Sequence, residues 1–117
     1  MLEQVETHTA AIVKPLLTKY GLTPKSAEQL AAEGKRDADK APPRWDDLIA
    51  HMAKTFPDYM PSFERLEAMA PPEDRAILKR MTAHEVAAIA FLTKEIAGDA
   101  GATLPLIAFL CDADEAA

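Results

Sequence analysis

The chain of 117 residues is short of β-branched side chains, with 3 valines and 6 isoleucines against 23 alanines. That composition argues against a large sheet and for an all-α fold. With one cysteine there is no internal disulfide and no secreted cysteine framework, so a reducing cytoplasm is the expected compartment. The opening residues Met1-Leu2-Glu3-Gln4 lack a basic region followed by an apolar run, and no stretch approaches the roughly 18 apolar residues of a membrane helix. Bases are also scarce: 13 against 19 acids give a formal charge of -6. That field repels a phosphate backbone or an anionic bilayer, so neither nucleic acid nor membrane is an expected partner. The 4 glycines are isolated from one another or confined to one turn, which leaves no phosphate-cradling loop.

What is present reads as helices. A chain of this length can bury roughly 65% of its unfolded surface, enough for one core without a metal or disulfide staple. The expected architecture is a single-domain, up-down type helical bundle of about four main helices plus one or two short ones. It spans residues 1–111, with a frayed acidic tail over 112–117. Val5, Ile12, Val13, Leu16 and Tyr20 recur at helical spacing around Thr9, so a first helix runs from Leu2 to Tyr20 and stops at Gly21. Pro15 inside it allows a kink or a late start. Thr23-Pro24 signals a short second helix ending near Glu33, and residues 33–44, which lack large apolar side chains, read as a mobile loop. A third helix is expected from Pro43 to about Phe56, followed by a short one capped by Ser62. The longest runs from Pro72 to Ala97 with Gly98 as its stop, and a last apolar helix covers Leu104 to Cys111. Alanine adds little buried area, so the core is thin and a subunit contact would complete it.

The main chemical signal lies in the longest helix, at Met81-Thr-Ala-His84-Glu85. At about 100° per residue, Leu78, Met81, Ala88, Ile89, Leu92 and Ile96 share a face, and Glu85 projects near its middle. Burial raises the pKa of such a carboxyl unless a cation, a metal or several donors compensate, which makes it a candidate acid or base. The plainer readings are a glutamate at the exposed end of the stripe, one snorkelling to a surface cation, or a buried ion pair with Arg44, Arg65 or Arg75. The candidate catalytic set is therefore Glu85, assisted by His84 or His8. A bundle metal site wants a Glu-x-x-His pair, and none occurs here. Adjacent His84 and Glu85 diverge by about 100°, while His84 and Glu95 stand roughly 16 Å apart along the axis. No metal or cofactor is expected, and a site from His8, His84 and Glu85 would need the first and longest helices to pack at matching heights. Cys111 reads as a small buried hydrophobe without a cation to stabilise its thiolate.

Trp45, Met52, Phe56, Tyr59, Met60, Phe63 and Met81 form the second feature. Their helical spacing makes them core residues first, the thioethers filling irregular gaps. Beside a lone acid, the same residues would wall a pocket for an apolar small molecule or a groove for a partner helix. The functional expectation is a small soluble cytoplasmic protein that binds such a molecule or partner as a homodimer, without catalysis of its own. The competing expectation is an enzyme-like pocket using Glu85 as general acid or base on a largely apolar substrate, with a carboxylate and histidine metal site third.

Overall fold

The computed structural model describes the backbone of residues 1–116 and the side chains of residues 1–112. The chain is 81% helical, with no strand among the described residues, and the fold is an all-α helical bundle. In order it comprises α1 (Leu2–Lys19), α2 (Ala27–Lys40), α3 (Trp45–Thr55), a 3-10 turn (Phe56–Tyr59), α4 (Met60–Met69), α5 (Pro72–Ile96) and α6 (Leu104–Ala116). Of the expected acidic tail, Asp112 is exposed and the backbone is helical to Ala116, while the side chains from 113 onward and all of 117 lie outside the described residues.

The axis of the molecule is α5. Pro72 lies in its first turn, where a missing N–H costs nothing, and Glu73 and Asp74 stand at the positive end of its dipole. Its 25 residues reach about 37 Å, most of the 41 Å long dimension. Helices α1, α3, α4 and α6 all pack on it, and α1 also meets α6. One buried cluster joins Val5, Ile49, Ala87, Phe91, Leu92, Ala102, Leu106 and Phe109, with Leu2, Ile12, Met52, Phe56 and Leu110 against it. On α5 the buried set is Asp74, His84, Glu85, Ala87, Ala88, Phe91 and Leu92. The face is therefore rotated from the expected one: Leu78, Met81 and Ile89 are half-buried and Ile96 is exposed. Four neighbours wrap α5, so burial follows their positions rather than a single stripe.

Both main stops are those the sequence implies. Gly21, at φ +65°, and Gly98, at φ +71°, take the left-handed conformation that closes a helix. Leu22 N–H then reaches back to the Leu17 carbonyl, and Asp99 N–H to that of Lys94. Helix α1 runs unbroken through Pro15, which is exposed, so the unpaired carbonyl one turn earlier faces water.

The second helix departs from expectation. Its cap is Ser26 in a reciprocal box with Gln29, not Thr23, and it continues through Gly34 to Lys40. Residues 33–40 are thus helical rather than a loop. Lack of apolar side chains denied the segment a core contact, but its Glu, Lys, Arg and Ala residues are good helix formers and the cap supplies a start. The consequence is visible in packing: α2 buries no residue and touches no other helix. With that limb projecting, the radius of gyration is 15.3 Å, where a compact chain of this length gives about 13 Å. In the centre, Ser62 caps nothing. The Phe56–Tyr59 turn absorbs Pro57, and α4 starts at Met60 with Pro61 in its first turn.

Candidate functional site

Helix α5 turns Glu85 inward, where it is 6% exposed. Its Oε1 is buried without a hydrogen-bond partner, and its Oε2 lies 3.7 Å from His84 Nε2. The same nitrogen is 3.8 Å from Glu6 Oε1 on α1. Both separations exceed hydrogen-bond reach, so Nε2 sits between two carboxylates without bonding either. The ring is held from its other side. Nδ1 donates to the Met81 carbonyl, which can only accept, and Phe63 of α4 meets the imidazole edge-on at 5.6 Å between centroids. Burial pushes the Glu85 carboxyl above its ordinary value, His84 opposes the rise and Glu6 adds to it.

Two expectations are corrected here. Adjacent His84 and Glu85 diverge at the backbone, yet their long side chains converge at their tips. The cations considered as partners do not serve Glu85: Arg44 and Arg65 are exposed, and Arg75 donates to the Ala70 carbonyl at 3.1 Å. Among the described residues the only basic side chain in ion-pair range of Glu85 is His84.

His8, the third candidate, is half-buried and lines an open cleft with Glu3, Gln4, Thr7 and Leu110. The seven aromatic and methionine residues do not form one wall. Met52 and Phe56 pack on the core cluster, Met60 and Met81 are half-buried, Tyr59 is exposed, and Phe63 lies on His84. Trp45 instead reaches Glu95, eleven residues beyond His84 and so roughly 16 Å away along α5. Cys111 is exposed rather than buried, because it continues the outward side of α6 that carries Leu104 and Ile107. Among the described residues no group of three or more His, Cys, Asp or Glu is placed to hold a metal ion.

Trp45 opens a second candidate site. Its indole N–H donates to Glu95 Oε1 at 3.2 Å, while the ring remains 55% exposed. With Asp46, Ile49, Ala50, Glu95 and Ile96 it lines a cleft of about 260 Å³ between α3 and α5, floored by buried Ile49.

Sequence reasoning missed Asp74. This carboxylate is buried where α1 ends on α5, bonded to Lys19 Nζ at 2.7 Å and to the Tyr20 hydroxyl. The Lys19 hydrogen bond and then that of Tyr20 hold its carboxyl below the ordinary value of 3.8, and the same contacts raise Lys19 and Tyr20. The partners lie 55 and 54 residues away, so no local pattern announces them. The contribution to stability is full above pH 3.8 and is lost as pH falls through the lowered folded-state value. Asp74→Asn is accordingly expected to lower the melting temperature at pH 7 and to flatten the acid limb below about pH 4, as followed by circular dichroism.

Fold and site together define a class: an all-α bundle whose central helix carries a sealed carboxylate and imidazole. No family model, curated protein or solved structure matches the chain. Among the described residues no helix is long and apolar enough to cross a membrane.

Proposed function

We propose that this is a non-catalytic helical-bundle binding protein that acts as a homodimer and docks apolar surface, in a reducing cytoplasm that suits its single exposed thiol. The observation that carries the reading is an inversion of the usual placement. The ionisable candidates Glu85 and His84 are sealed inside and line neither described cleft, whereas Trp45, Leu66, Met69, Leu104 and Ile107 stand exposed. Exposed apolar residues in contiguous stripes mark interaction surfaces. Leu104, Ile107, Ala108 and Cys111 recur at one, four, five and eight along α6, all on its outward side. A second copy is the occupant assigned to that stripe, in keeping with a thin core completed between subunits. Sedimentation velocity at micromolar concentration is expected to show a dimer, and Ile107→Glu a monomer with unchanged far-ultraviolet circular dichroism. A wild-type monomer would overturn the homodimer.

One observation favours a second reading. Glu85 Oε1 is buried and unpartnered, which is the state of a carboxyl kept ready to take a proton from an apolar substrate. It ranks second because no described cleft reaches that oxygen.

A further inference from the structure

We infer that the cleft between α3 and α5 receives an apolar side chain from a basic amphipathic helix of another protein. This rests on the reading of the chain as a binding protein and names a partner for a surface separate from the α6 stripe. At about 260 Å³ the cleft is below the roughly 300–1,000 Å³ of small-molecule sites, and suits one inserted side chain. Its apolar parts are ready for contact: Ile49 floors it, while Trp45 and Ile96 stand 55% and 57% exposed at its edges. The hydrogen bond to Glu95 fixes the indole before anything arrives, so an aromatic anchor is preorganised rather than ordered on binding.

Charge chooses the partner. Asp46 on α3 and Glu95 on α5 border the cleft from its two walls, and neither makes an ion pair among the described residues. Of the cations beside them in sequence, Lys94 pairs with Asp99 at 3.3 Å, and Arg44, exposed at the start of α3, makes no ion pair with either carboxylate among the described residues. Two unpaired carboxylates around an apolar floor complement a helix that presents Leu, Met or Phe with Lys or Arg one turn away. An acidic or neutral apolar helix would leave both uncompensated. The net charge of -6 steers the same class of partner towards the protein.

The chain's one tryptophan is Trp45, so its emission reads this cleft alone. The probes are two synthetic amphipathic helices of equal apolar content, one Leu/Lys and one Leu/Glu, titrated against the full chain. The Leu/Lys peptide is expected to shift the emission to shorter wavelength with saturation, and the Leu/Glu peptide to leave it unchanged. Asp46→Asn with Glu95→Gln, which keeps the oxygen that accepts from the indole, should weaken binding about tenfold. Glu28→Gln with Asp37→Asn removes the same charge from α2 and should leave affinity unchanged. No saturable shift, equal response to both peptides, or equal weakening by the α2 variant would each overturn the proposal. Ile107→Glu separates the two readings: a monomer that retains the Trp45 response keeps this cleft's role, whatever becomes of the α6 contact.

Discussion

Replacing Glu85 by methionine is expected to stabilise the fold by about 1–3 kcal/mol at pH 8, an unusual sign for a change at a buried position. The wild-type carboxylate is sealed, one oxygen has no partner, and the one basic atom in ion-pair range among the described residues, His84 Nε2, lies beyond hydrogen-bond distance at 3.7 Å. Methionine fills a similar volume with an apolar, adaptable chain and leaves nothing unsatisfied. The pH dependence follows from the raised folded-state value. Folding favours the neutral acid, so the associated stability is full below the ordinary value of 4.5 and is lost as pH rises through the raised one. This is opposite to Asp74. Urea denaturation at a series of pH values should therefore show the gap between the two proteins smallest near pH 4 and largest at pH 8. A loss of several kcal/mol in the variant would mean instead that Glu85 and His84 form a structural ion pair that the fold requires.

Leu92→Ala is expected to cost about 2–5 kcal/mol, towards the upper end of that span. Leu92 is fully buried and belongs to the cluster that joins α1, α3, α5 and α6. Two of its buried companions on the same helix, Ala87 and Ala88, are already small, so the helices stand close and have little room left to close over a new void. The unfilled space then persists and adds its own penalty to the lost transfer energy. Set against a total of about 5–15 kcal/mol, the loss would leave a marginal protein. Leu30→Ala serves as the control: the same deletion at an exposed site on α2, outside the core and the α6 stripe, should fall within about 0.5 kcal/mol of wild type. A cost at Leu92 as small as at Leu30 would contradict the assigned core.

How much of this was legible beforehand differs residue by residue. Val5 and Thr9 of α1, and the stops at Gly21 and Gly98, follow from helical spacing and left-handed glycine, both local signals. The inward aim of Glu85 agrees with its place on the apolar side of α5, although the buried face turns away from Met81 and Ile89 towards Ala87 and Phe91. Its surroundings were not legible. Glu6 and Phe63 reach His84 from α1 and α4, and Lys19 reaches Asp74 across 55 residues, through packing that no periodicity encodes. The Trp45 cleft hid for a related reason. Its spacing matched a core stripe, yet the ring is 55% exposed and its partner Glu95 stands 50 residues away near the end of α5. Helix α2 has no apolar stripe to announce it, and a capping box with helix-forming residues is enough to order it without burial.

That free-standing helix has a thermodynamic corollary. Its order rests on the Ser26 box, its own ladder of backbone bonds and a Lys25 to Glu33 ion pair, none of which is linked to the core. Helix and coil within it therefore exchange one turn at a time rather than with the body, with an opening free energy near the bottom of the molecule's range. Warming would unwind this limb gradually while the remaining helices hold. The native baseline in circular dichroism would slope long before the cooperative transition, and a two-state fit that ignored the slope would misjudge the stability of the rest.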